Sequence, residues 1–154
     1  MKITLQPVTA ANWRELIKLK VRDDQAHFVA SNVHSIAESQ FGFEDEGHWN
    51  ISPFGIYADN EAVGFLMYAT NLGHSRIQVF IQRLMVDEKF QGKGYGRQAM
   101  QVMLGTIRGE ERIRNVAISY EPDNRSAKSL YASLGFKETG EMAGDELLAV
   151  LNLR

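Results

Sequence analysis

The chain has 154 residues, 44% of them hydrophobic and 23% charged, which suits one compact domain over residues 1–154 whose core needs no covalent staple. The absence of cysteine excludes a disulfide framework, a thiolate nucleophile and a cysteine-ligated zinc site. A net charge of −2 argues against general nucleic-acid binding, and no apolar run is long enough for a membrane span, so the expectation is a cytoplasmic protein without nucleic-acid or membrane partners.

Ile3, Leu5 and Pro7 begin an alternating strand, and Thr9 is placed to cap a helix over 10–21, with Trp13, Leu16, Ile17 and Lys20 at helical spacing. Ser31 or Asn32 caps a second helix reaching Gln40. The stretch 41–53 mixes glycine, aromatics and acids without a period and reads as a loop. Strands over 54–58 and 62–70 form a hairpin about the turn Asp59-Asn60-Glu61. The next strand, 76–86, alternates through Ile77, Val79 and Ile81 and then changes phase at Leu84-Met85-Val86, which predicts a bulge near Arg83. A glycine-rich segment, Gln91 to Gly96, leads into a helix whose apolar face holds Ala99, Met100, Met103, Leu104 and Ile107. There follow a short buried strand over 113–119, a helix capped by Asp123 or Asn124 and ended by Gly135, and two strands, 136–142 and 146–153, joined at Ala143-Gly144-Asp145. The order β-α-α-β-β-β-α-β-α-β-β describes a mixed α+β fold of seven strands and four helices.

The charges are segregated. Between Asp23 and Ser75 eight acids stand without a single Lys or Arg, a charge of −8, and the rest of the chain carries seventeen bases against eleven acids, or +6. Such a block is either a solvated face or a surface that attracts a cation.

The segment Gln91-Gly92-Lys93-Gly94-Tyr95-Gly96 carries the most chemical information. Its glycines leave backbone N–H groups uncovered where a helix begins, and a helix N-terminus has unpaired donors and partial positive charge that suit a phosphate or pyrophosphate. Lys93 and Arg97 add cationic reach. The alternative is a tight turn that needs glycine for geometry alone. A Walker loop is excluded because no Ser or Thr follows the glycines, and a dinucleotide fingerprint because the third glycine comes one residue early.

Gln91, Gly94 and Gly96 match the Gln/Arg-x-x-Gly-x-Gly/Ala signature, preceded by the strand Leu84-Met85-Val86. About thirty residues on, Asn124-x-x-Ala127-x-x-Leu130-Tyr131 is followed by Gly135-Phe136. On these motifs the chain resembles, from end to end, the GNAT superfamily of acyl-coenzyme A N-acetyltransferases. Ser35-Ile36-Ala37-Glu38-Ser39, Ile56-Tyr57, the run from Val63 to Tyr68, and Arg83 make it most similar to bacterial spermine/spermidine or diamine acetyltransferases.

The resemblance implies a mostly antiparallel seven-stranded sheet splayed between its fourth and fifth strands. It also implies direct acetyl transfer from acetyl-CoA to an amine, without a metal. Leu84, Met85 and Val86 would pair with the pantetheine, an N–H near Met85 would polarise the thioester carbonyl, and Gln91, Gly92, Lys93, Gly94, Tyr95, Gly96 and Arg97 would hold the pyrophosphate. Asn124 and Lys128 would contact the pantetheine or the nucleotide. Tyr131, two helical turns after Asn124, is the candidate general acid, since a phenol is protonated at neutral pH. The position that carries an acid in related polyamine enzymes is Gln82, which cannot accept a proton, so the base is unassigned. Glu38, Glu44 or another carboxylate acting through water, and simple loss of the proton to solvent, all stand. The acidic block suggests Glu38, Glu44, Asp45 and Glu46 as partners of a polycationic amine, with Trp49 beside it. The four histidines form no HxH or HxxxH pair, so no metal site is expected. A homodimer is expected from exposed sheet edges. The alternatives are a protein N-terminus, a lysine or an aminoglycoside as acceptor, and a catalytically silent acyl-CoA sensor.

Overall fold

A computed structural model describes all 154 residues. The chain forms eight strands, β1 (Ile3–Pro7), β2 (Phe43–Glu44), β3 (His48–Ala58), β4 (Glu61–Thr70), β5 (Val79–Val86), β6 (Asn115–Tyr120), β7 (Lys137–Ala143) and β8 (Glu146–Asn152), and four helices, α1 (Trp13–Leu16), α2 (Asn32–Ser39), α3 (Tyr95–Ile107) and α4 (Arg125–Ser133). Seven strands follow the order β1-β3-β4-β5-β6-β8-β7, and the two-residue β2 adds to the end of β3. Every pairing is antiparallel except β5 with β6. No helix is long and apolar enough to cross a membrane.

The strand period of two sorts side chains onto two faces. Ile56, Val63, Leu66, Val79 and Ile81 join Met100, Met103 and Leu104 of α3 in the larger core cluster. On the opposite face Phe65, Met67 and Met85 pack with Leu19, Val29 and Ile36. Asn32 secures α2 to that face: its buried amide donates to the Leu16 carbonyl at 2.8 Å.

Two expectations fail. The helix over 10–21 is reduced to Trp13–Leu16. Lys18 and Leu19 already form i→i−3 bonds, and Lys20 is drawn into tertiary bonds, its N–H to Asp87 Oδ2 (3.0 Å) and its carbonyl accepting from Glu88 N–H (2.8 Å). Long-range hydrogen bonds there outweigh a modest helical periodicity. The loop over 41–53 is instead the β2–β3 hairpin, turned by left-handed Glu46 (φ 56°) and Gly47 (φ 106°) and held by Phe43 stacked on Trp49 at 5.4 Å. Pro53 does not interrupt β3, because its missing N–H falls at the end of the β1 ladder, where its carbonyl still accepts from Val8 (3.1 Å).

The caps resolve to Ser31 for α2 and Asn124 for α4, and Gly135 ends α4 at φ 100°. The bulge lies one residue before its expected position. Met67 pairs with Arg83 and Tyr68 with Ile81, which leaves Gln82 as the extra residue. Pairing of β5 with β6 also stops at Ile81–Ile118, so the sheet splays from the bulge onward.

Candidate active site

The splay opens a cleft in two halves that meet at Phe28, Leu84, Asn124, Ala127 and Tyr131. The half under α3 encloses about 540 Å³ and the other about 490 Å³. In the first half β5 presents Leu84, Met85 and Val86 along an edge with no strand beside it. The loop after it contributes Gln91, Gly92, Gly94, Tyr95, Gly96 and Arg97 to the same wall.

The loop owes its shape to its glycines. Gly92 (φ 79°) and Gly94 (φ 83°) are left-handed, and Gly94 caps α3 without any side-chain bond to the helix N-terminus. The first-turn donors of a thirteen-residue helix therefore have no capping side chain, and the residues Tyr95, Gly96 and Arg97 that open it line the cleft. Gln91 braces this arrangement: its amide donates to the Val86 carbonyl and to Gln25 Oε1, both at 2.9 Å. Tyr95 is buried and directs its hydroxyl to Met1. Arg97 is exposed and reaches Ser133 Oγ at 2.6 Å. Lys93 and Lys128 do not line the cleft, and Lys128 pairs with Glu138 at 3.6 Å. Arg22 and Gln25, from the 3-10 turn at 23–28 and the residue before it, complete the wall and were not foreseen. Their segment carries no motif that a sequence reading could use.

Tyr131 stands where the halves meet. It is buried against Tyr120 and Phe136, with ring centroids at 5.6 and 6.1 Å. Burial, and then the charge of Glu146 and the neighbouring Tyr120, push its pKa above the usual phenol value, so it remains a proton donor across neutral pH. Asn124 spends its side-chain oxygen capping α4, on the Ala127 N–H at 3.3 Å.

The second half gathers the ends of β5, β6 and β8. Gln82 lines it with a buried Oε1 that has no hydrogen-bond partner. Arg83 is turned into local bonds with the Gln82 carbonyl (2.9 Å), Ser35 Oγ (3.1 Å) and Glu38 (3.3 Å). Ser119, Tyr120 and Glu146 form the far wall, and Ser119 Oγ donates to Glu146 Oε1 at 2.6 Å. Tyr120 donates to Glu138 at 3.1 Å, and burial followed by this carboxylate pushes its pKa up to about 12. Glu146 escaped the sequence reading because it follows a turn near the C-terminus. Only the β6–β8 pairing brings it beside Ser119.

The structure does not bring the acidic block to this cleft. Glu38 approaches only through Arg83 and also faces His34 at 3.4 Å. Glu44 bonds His48, while Asp45 and Glu46 close on His74 at 3.2 and 3.3 Å, beside the start of β5. The splay opens toward the other end of that strand. Glu46 also accepts from the Ser75 hydroxyl and N–H, which holds its carboxyl below the usual range. Trp49 is buried in packing and donates to the Asp45 carbonyl. Asp45, Glu46 and His74 are close enough to suggest a metal site. However, His74 Nδ1 accepts from the Arg76 and Ile77 N–H groups, which puts the ring proton on Nε2, facing the carboxylates. A metal would need a lone pair at that nitrogen.

A family model described as "Acetyltransferase (GNAT) family" matches residues 13–136. Among curated proteins, a spermine/spermidine N(1)-acetyltransferase of Bacillus subtilis is 25% identical over 146 residues, which cover 92% of each chain. Among solved structures, a spermidine N-acetyltransferase from Vibrio cholerae, in complex with CoA and spermine, superposes with a TM-score of 0.74 at 15% identity, covering 99% of this chain and 96% of that one. An aminoglycoside acetyltransferase in complex with coenzyme A gives 0.73 at 14% identity, over 98% and 95%. At such identities these two establish the fold.

Proposed function

This chain belongs to the acetyltransferase (GNAT) family and is an acetyl-CoA-dependent N-acetyltransferase, and from that premise we propose that its acceptor is a primary amine of the polyamine or diamine class, such as spermidine or spermine. The observation that carries the reading is the character of the second half of the cleft. Gln82 Oε1 and the Glu146 carboxylate offer hydrogen-bond acceptance, while the neighbouring cation, Arg83, is already committed to Glu38, Ser35 and a carbonyl. A site rich in acceptors suits an ammonium or amine, which brings only donors and positive charge. The full-length likeness to the Bacillus spermine/spermidine enzyme supports the same class.

In the proposed mechanism the pyrophosphate of acetyl-CoA lies on the N–H groups at Gly92 to Arg97, with Arg22 adding charge at the rim. The pantetheine extends along the free edge of β5 from Val86 toward Gln82, taking the place of a neighbouring strand. The thioester then reaches Tyr131. The neutral amine attacks the carbonyl carbon to form the C–N bond of a tetrahedral oxyanion; as the carbonyl re-forms the C–S bond breaks, the Tyr131 phenol gives its proton to the departing thiolate, and the acylated nitrogen returns a proton to the phenolate. Thiol release from acetyl-CoA with a panel of spermidine, spermine, diaminobutane, lysine, an N-terminal peptide and an aminoglycoside tests the reading. Polyamines and diamines should show the highest kcat/KM. A higher value for the peptide or the aminoglycoside overturns it.

A further inference from the structure

Of the residues lining the two halves of the cleft, Glu146 is the single carboxylate. Other polar groups of that half are already engaged. Tyr120 bonds to Glu138, Arg83 to Glu38, and His27 lies 3.9 Å from Glu121. Tyr131 lines the same half of the cleft as Glu146 and holds its proton. Across the gap, the orphan Gln82 Oε1 is a buried acceptor with no donor, a costly arrangement unless a ligand supplies one.

We propose that Glu146 is the catalytic base of the reaction and that Gln82 Oε1 orients the acceptor nitrogen toward the thioester. This rests on the N-acetyltransferase reading above and supplies the proton acceptor that Gln82 cannot be. The Glu146 carboxylate takes a proton from the bound ammonium, and the neutral amine attacks. Tyr131 protonates the thiolate, and the phenolate regains a proton from the acylated nitrogen. Glu146 then releases its proton to solvent, so one proton leaves per acetyl transferred. The Ser119 hydroxyl, 2.6 Å from Glu146 Oε1, holds the carboxylate in place as a positioning residue.

The test is the pH dependence of kcat/KM for Glu146→Gln against wild type, with spermidine or whichever amine wild type prefers. A preference for another amine corrects the substrate class and leaves this test intact. At pH 7 the variant should lose about 10²–10⁴-fold, the usual share of a general base. The gap should close to less than tenfold near pH 10, where solvent deprotonates the amine unaided. Coenzyme A affinity, measured by calorimetry, should stay within twofold, because Glu146 lies outside that half. A loss that does not change with pH would make Glu146 an anchor and overturn the proposal, as would no loss at all. Should Glu146→Gln fail to fold, Ser119→Ala carries the test. With nothing to hold the carboxylate toward the amine, kcat/KM at pH 7 should fall about tenfold, Ser119→Thr should restore it, and the loss should shrink toward pH 10 as in Glu146→Gln. A Ser119→Ala variant as active as wild type, or a loss that is the same at every pH, overturns the assignment.

Discussion

The half of the cleft beneath α3 is built around a backbone loop, and the half beyond Tyr131 around the ends of side chains. In the first, left-handed Gly92 and Gly94 and the uncapped start of α3 offer N–H groups that any residue would carry, provided that the chain can adopt the turn. In the second, Gln82, Ser119 and Glu146 each contribute one polar group from a different strand. Coenzyme binding should therefore be sensitive to backbone shape and indifferent to most side chains around it. Acceptor chemistry should depend on single functional groups.

The largest effect should come from the residue the halves share. Tyr131→Phe removes one oxygen and keeps the packing against Tyr120 and Phe136, so kcat should fall about 10²–10⁴-fold with little change in coenzyme A affinity. The pKa of Tyr131 is raised, so its protonated form persists beyond the normal phenol range. The wild-type kcat profile should accordingly show no alkaline fall below pH 10. A nearly normal kcat in the variant, where chemistry limits turnover, would remove the tyrosine from the mechanism.

Next come the glycines. A β-branched residue is strongly disfavoured at the φ of 83° that Gly94 adopts, although a Cβ there would have room, its nearest neighbour being Gln98 at 3.8 Å. Gly94→Val should weaken coenzyme A at least tenfold, about 1.4 kcal/mol, by reshaping the loop. Gly96 is helical, and its Cβ would sit 3.7 Å from Val86 without strain. Gly96→Ala should thus preserve thermal stability and weaken coenzyme A by a smaller factor, through intrusion into the cleft. Isothermal titration ranks the two, and the reverse order would mean that loop shape matters less than free space.

The smallest effect is expected from the triple variant Glu44→Gln, Asp45→Asn, Glu46→Gln. These side chains face His48, His74 and Ser75, away from the splay. The amine KM should stay within twofold at low and high ionic strength. A severalfold rise confined to low salt would mean that the acidic block guides the amine from a distance.

The same division explains what could be read before folding. Gln91 to Arg97 and Asn124 to Tyr131 are contiguous, and each segment carries its own reason for being on a helix terminus or one helix face, so the family resemblance rests on them and the splay comes with it. Even the bulge left a trace in the phase change before Leu84-Met85-Val86. Gln82 and Glu146 are 64 positions apart and meet only because β5, β6 and β8 run side by side. The density of acids over residues 23–75 pointed elsewhere, since linear charge says nothing of which histidines and hydroxyls will fold over it. Lys20 likewise looked helical until Asp87 and Glu88 claimed its backbone.

The division of the cleft is tested most directly by a crystal structure with coenzyme A. The pyrophosphate should lie on the N–H groups of Gly92 to Arg97, the pantetheine along the open edge of β5, and the thiol within hydrogen-bond reach of the Tyr131 hydroxyl, with the Gln82–Glu146 half left free for the amine. A coenzyme whose thiol lies away from Tyr131, or whose pantetheine fills the Gln82–Glu146 half, would contradict that division.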